Sequence, residues 1–345
     1  MLTGILESLP ARGDAALFVG ADRIGGDEFA ELVWSYAGGL RARGERSIAL
    51  VGAPGPTMLA MVLAAVGTGT RVDWIDPRAG DELVRARLEA SGARLTVADG
   101  ALAWPLKGPK WLRDRMRLPK YDVWPQIVPV DHIGGAQKRR FAPDDDVAAL
   151  TLFPRGRREE PLGAVHTVGS LSAGVGGVAA LLGDGGPVLT DSLVVMLAAA
   201  ALGRPVLRAS SRARLLAWQV RRHGSGTVAL RDWRRLGDPP RGAAVLVGGE
   251  EPAPTSAVES LGSSGARVTN VYALPDLFPI AASVDGAALE LVDGVSARTA
   301  DDGELLLGGA AMAPRFVEGP YRDEVGTGRR ATVEGRRLSL RDRPT

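Results

Sequence analysis

Between residues 26 and 99 the chain switches repeatedly between two periods, and that alternation restricts its fold more than any other feature. "GGDEFAELVWSYAGGLRA" (26–43) spaces Phe29, Leu32, Val33, Tyr36, Ala37 and Leu40 at helical intervals, forming one apolar stripe. "SIALVG" (47–52) is a short apolar run closed by glycine and proline, and "TMLAMVLAAVGTG" (57–69) is helical again. "TRVDWID" (70–76) reads as a strand, "DELVRARLEASG" (81–92) as a helix with a glycine stop, and "ARLTVAD" (93–99) as a strand. Strands separated by helices pair in parallel, and the helices must cover the faces of the resulting sheet. An α/β chain with a parallel sheet is therefore expected.

The stretch 101–145 breaks the rhythm with prolines at 105, 109, 119, 125, 129 and 143 and tryptophans at 104, 111 and 124. It reads as an irregular basic connector between two lobes. Alternation then resumes with a strand at 147–153, helices near 166–182 and 190–202, and a strand at 204–208. A helix at 211–223 follows, with strands at 226–230 and 243–247, a helix near 254–264 and a strand at 267–272. From about 278 the period becomes two, in "FPIAASV", "AALELVD", "GELLLGG" and "RRLSLRD". This predicts a small, mostly antiparallel β lobe. Three units are expected: a first α/β lobe over 1–145, a second over 146–277 and the β lobe over 278–345. The two parallel-sheet lobes would form an αβαβα layering.

Charge and composition exclude several functions. Lys plus Arg number 42 against 40 acids, too balanced to suggest nucleic acid. Cysteine is absent, which removes disulfides, thiolate metal sites and a cysteine nucleophile together. The apolar runs 58–66 and 193–202 fall well short of the ~20 residues that span a bilayer, and no signal peptide is visible. A cytoplasmic protein without a transmembrane segment is expected. Only four lysines occur (Lys107, Lys110, Lys120, Lys138), all within one 32-residue window, so no lysine is available elsewhere for chemistry.

Several segments in order resemble the large N-terminal domain of the adenylate-forming superfamily, which includes acyl-CoA synthetases, peptide-synthetase adenylation domains and luciferases. "DDVAALTLFPRGRREEPLGAVHTVGSL" is similar to that family's strand and phosphate loop, "VLVGGEEPAP" to its adenine-side turn and "VTNVYALPD" to its tyrosine segment. "DDGELLLGG" and "GTGRRATVEGRRLSLRDR" resemble the strand and the stretch that precede its hinge. "FAELVWSYAGGLRARGERSIALVG" resembles its opening helix and strand. The resemblance implies a substrate pocket near His166, Gly248, Gly249, Glu250, Asn270, Tyr272 and Asp276.

The same alignment exposes four departures. In the loop 153–167 only Gly156, Pro161 and Gly163 keep the family pattern; Pro154, Arg155, Arg157, Arg158 and Glu159 replace small residues, and Leu162 stands at the lysine position. Such a loop grips phosphate through backbone N–H groups and small side chains. Two readings of the arginines remain open here: a fork that holds phosphate, or a turn self-paired with Glu159 and Glu160. Second, Arg329 stands where the family has a ribose-binding aspartate, and arginine has no acceptor. Third, the tyrosine segment ends in Asp276, one methylene shorter than the family's magnesium-binding glutamate. Fourth, the chain stops at Thr345, where the family continues into a small C-terminal domain.

The expected protein is a truncated, adenylate-forming-like pseudoenzyme with no catalytic residues, no cofactor and no metal site. It would bind a small acyl or aryl ligand, or a biosynthetic partner such as a carrier protein or a ligase. Two alternatives remain open: an ATP-independent acyl transferase acting on thioesters, and a ligase whose missing domain is supplied in trans. "GVGG" (174–177) is read as close helix packing. The window 104–120, with six cations and one acid around Trp104 and Trp111, suits an anionic membrane, an acidic carrier or a solvated connector.

Overall fold

The computed structural model describes residues 2–99, 127–135, 144–154, 163–183, 185–223, 226–317 and 319–341. The window 104–120 and the loop positions Gly156, Pro161 and Leu162 lie outside them. Two sheets carry the fold. The first runs Arg315–Phe316, Ala164–Thr167, Ala148–Leu152, Arg71–Ile75, Ser47–Val51, Leu95–Ala98, Ile127–Pro129. Its central strands are parallel, as the alternation predicts.

In the second sheet the strands Ala16–Val19, Val206–Arg208, Val188–Thr190, Thr227–Ala229, Ala244–Gly249 and Arg267–Tyr272 pair in parallel. Antiparallel strands from Ala281–Val284 to Arg337–Leu340 extend this sheet and wrap the small β lobe.

Successive side chains point to opposite faces of a strand, and both faces are covered, so the residues Ile48 to Val51 are all buried but in alternating cores. Ile48 and Leu50 enter one core with Leu246 of the second sheet, while Ala49 and Val51 face the helix Asp81–Ser91. Val245 and Val247 turn to the opposite side, against the helices Ala213–His223 and Thr255–Ser263. Between the sheets lie the helices Pro56–Thr68, Val168–Leu182 and Leu193–Ala201. Met58 to Gly67 are buried without interruption, which is how a helix apolar on all sides comes to rest. The αβαβα layering follows.

Five elements named here differ from the sequence reading. Ile127–Pro129 is a strand inside the expected connector; its proline is tolerated because the strand lies at the sheet edge. Ala164–Thr167 pairs antiparallel with Ala148–Leu152 before the helix begins, and Thr167 caps that helix through a reciprocal bond with Ser170. Val188–Thr190 is a strand at the front of an expected helix. Leu2–Ser8 and Ala16–Val19 form a helix and a strand that periodicity did not mark.

Gly174 and Gly177 sit one turn apart on the helix Val168–Leu182. A Cβ on Gly174 would lie 2.6 Å from the Phe278 ring, and one on Gly177 would lie 2.7 Å from Pro279 Cδ. The glycines therefore serve close packing, which brings the 273–279 segment onto the helix.

Candidate functional site

Open parallel sheets expose their loops, and hence their sites, beyond the carboxyl ends of the strands. Here the carboxyl ends of both sheets border one cavity of about 570 Å³. The first sheet contributes Trp74, Leu152 and Phe153. The second contributes Ser192, Leu230, Arg231, Gly248 to Glu251, and Ala273 to Pro275. Val178 and Leu181 of one inter-sheet helix, Val194 and Val195 of another, and Phe278 with Pro279 supply the apolar walls.

Of the sequence-derived site residues, Gly248, Gly249 and Glu250 line this cavity. Gly248 has φ +102°, and a Cβ there would lie 2.2 Å from the Val271 carbonyl oxygen, so the turn needs glycine. The others act behind the wall. Asn270 accepts from Ala253 N at 2.9 Å and donates to Ala253 O at 2.8 Å, pinning the turn after Glu251 to the neighbouring strand. Tyr272 is buried in the β-lobe core. Asp276 forms an ion pair with Arg322 at 3.5 Å. Gly163 begins the Ala164–Thr167 strand, and its carbonyl accepts from Val317 N at 2.9 Å.

His166 is fully buried. Its Nε2 lies 2.7 Å from the Pro275 carbonyl oxygen, which can only accept, so Nε2 carries the proton and Nδ1 accepts from the Ser170 hydroxyl at 3.3 Å. Burial pushes its pKa down to about 4, against the opposing effect of the Pro275 carbonyl. A neutral His166 thus holds Pro275 from behind, and its ring lies 4.9 Å from that of Phe278.

The cavity's polar wall escaped the sequence reading. Arg231 pairs with Asp76, its guanidinium sits 5.1 Å over the Trp74 ring, and its backbone N donates to Asp191 Oδ1 at 2.8 Å. Arg78 grips Asp76 through two bonds of 3.0 and 3.1 Å and approaches Asp191 at 3.6 Å; Arg235 reaches the same carboxylate at 3.4 Å. This cluster joins the end of the Arg71–Ile75 strand to the second sheet. Burial alone would raise the Asp76 pKa, but Arg78 and Arg231 bring it down to about 2. Arg329 donates to Glu251, a lining residue, at 2.9 Å, with its guanidinium 5.9 Å from the Tyr272 ring centre. Arg231 follows directly on the strand "GTVAL", so the carboxyl-edge rule would have marked it. Ser192 had no such signal, because the helix expected near 190–202 began on the last residue of its strand. Among the described residues no His, Asp or Glu group suits a metal ion, and no helix is long and apolar enough to cross a membrane.

Two helix-covered sheets meeting at one cavity, with an antiparallel β lobe at the edge, define the large-domain fold of the adenylate-forming ligases. The solved structure of o-succinylbenzoate CoA synthetase (MenE) from Bacillus subtilis in complex with the acyl-adenylate intermediate OSB-AMP is similar over 99% of this chain and 99% of that chain, at TM-score 0.79 and 14% identity. Coronafacic acid ligase from Pectobacterium brasiliense is similar over 98% of this chain and 77% of that one, at TM-score 0.78 and 13% identity. E. coli MenE with a bound OSB-AMS analogue matches at TM-score 0.75 and 18% identity, over 98% of this chain and 76% of that one. At such identities the likeness is one of fold. No protein-family model matches the chain, and no curated protein matches it in sequence.

Proposed function

We propose that the chain binds a small apolar acyl or aryl ligand in the inter-sheet cavity and does not carry out ATP-dependent adenylation. The cavity itself carries this reading: 570 Å³ falls within the range typical of small-molecule sites, and its walls are mostly aliphatic and aromatic. The similar MenE structure is described with an acyl-adenylate bound, which favours an acyl compound over other apolar ligands.

Two features support the loss of nucleotide chemistry. Arg329 stands where the resemblance places a ribose-binding carboxylate, and it spans from Glu251 to the Tyr272 ring. Its guanidinium offers donors only, so it cannot accept from a sugar hydroxyl. Asp276, at the position implied for magnesium, faces the Arg322 guanidinium instead.

Calorimetric titration of the full chain tests both halves. Medium-chain and aryl carboxylic acids or their thioesters are expected to bind, and Leu181→Trp, which places an indole in the cavity wall, to weaken that binding. ATP with magnesium is expected to give no heat. Micromolar ATP affinity, or ligand binding unaffected by Leu181→Trp, would overturn the reading.

A further inference from the structure

The helix Ala213–His223 covers the outer face of the second sheet, away from the cavity. Leu216, Gln219 and Val220 are buried, as its amphipathic spacing requires. Its outward face is unusual. At 100° per residue, Arg214, Leu215, Trp218, Arg221 and Arg222 fall within an arc of about 120°, and all five are exposed.

Of the large apolar side chains exposed among the described residues, only Leu215 and Trp218 share one helix face, at 45% and 44% exposure. Arg222 lies 5.2 Å over the Trp218 ring, which joins an apolar plate and a cationic edge into one unit. No ion pair neutralises Arg212, Arg214, Arg221 or Arg222 among the described residues. The 40 residues from 192 to 231 contain no acid, in a chain whose total charges nearly cancel.

We infer that this face docks on an anionic lipid surface. The arginine donors match phosphate and carboxylate headgroups, and the indole beside them suits the level at which headgroup meets acyl chain. A specific protein partner demands about 800 Å² per side, more than the outer face of one 11-residue helix, about 16 Å long and about 10 Å across, presents. A lipid surface makes no such demand, since every headgroup repeats the same contact. The inference is independent of the cavity ligand.

Flotation of the full chain with vesicles tests it. Vesicles of about one-third phosphatidylserine in phosphatidylcholine should carry the protein at low salt, and pure phosphatidylcholine vesicles should not. Each arginine near such a surface multiplies partitioning about fivefold, so Arg214→Gln with Arg221→Gln should lower it roughly 20- to 30-fold. Both residues are exposed, so the thermal midpoint should stay unchanged. Trp218→Phe should remove a blue shift in emission that accompanies wild-type binding. The inference is overturned if phosphatidylserine vesicles do not carry the protein, or if the double variant floats as well as wild type. It is also overturned if soluble polyglutamate, and not vesicles, shifts the Trp218 emission, which would assign the face to acidic polypeptides.

Discussion

His166 should make the fold acid-labile in a defined window. Its ordinary pKa of 6.5 falls to about 4 because the ring is buried, so the native state keeps it neutral while the unfolded chain takes up a proton. Between those values the unfolded state binds more protons, and stability rises with pH. The contribution is complete above about pH 6.5, is lost as pH falls towards 4, and amounts to about 3 kcal/mol over the interval. The perturbation is His166→Gln, whose amide still offers a donor towards the Pro275 carbonyl but does not titrate. Denaturant midpoints followed from about pH 7 to about pH 4 should fall steeply for the wild type and much less for the variant. Equal slopes for the two proteins would refute the assignment of a buried, neutral His166.

Other expectations follow from the same geometry. Gly248→Ala should cost at least about 3 kcal/mol, because its Cβ would meet backbone at 2.2 Å; Gly249→Ala, with open space beside it, should cost only about 1–2. Thermal unfolding of the pair separates the two. Asp76→Asn should destabilise by about 3 kcal/mol, since it leaves Arg78 and Arg231 beside a neutral amide. Asp76 also adds stability above its ordinary pKa of 3.8 that is lost as pH falls towards 2, below the His166 window, so denaturation of Asp76→Asn at low pH should show a flatter acid limb. Leu181→Trp should leave the melting midpoint nearly unchanged while weakening ligand binding, measured by calorimetry.

Much of this architecture could be read from residue order, for a physical reason. The helices Gly26–Arg43, Pro56–Thr68 and Asp81–Ser91 and the strands between them have uninterrupted patterns, and each ends on a glycine or proline that enforces a stop. The strands that escaped notice are three or four residues long. Val188–Thr190 merges into the apolar helix after it, and Ile127–Pro129 is masked by its proline. Within the site, the turn Gly248–Glu250 was found through the resemblance, and it falls where an open parallel sheet places its sites, just past the apolar run 243–247. The Asp76–Arg231 contact was not legible, because it joins residues from different sheets that nothing local relates. Asn270 and His166 were found through resemblance, but their work is to hold the wall rather than to form it.

The pairing of Ala16–Val19 with Val206–Arg208 has a consequence for how the protein is made. Phe18 must wait for Val206 before its parallel neighbour exists. At a synthesis rate of about 5–20 residues per second, that wait is roughly ten to forty seconds. Arg315–Phe316 likewise reaches the first sheet only after most of the chain has been translated. Neither sheet can finish while the ribosome is still producing the early chain, and the apolar segment around Leu2, Ile5, Leu17 and Phe18, though it meets Ile24 and Phe29 early, lacks its neighbours from Val188 onward throughout. Folding should therefore be late, slow and dependent on shielding of this N-terminal segment, as expected where sheet contacts join residues far apart in sequence.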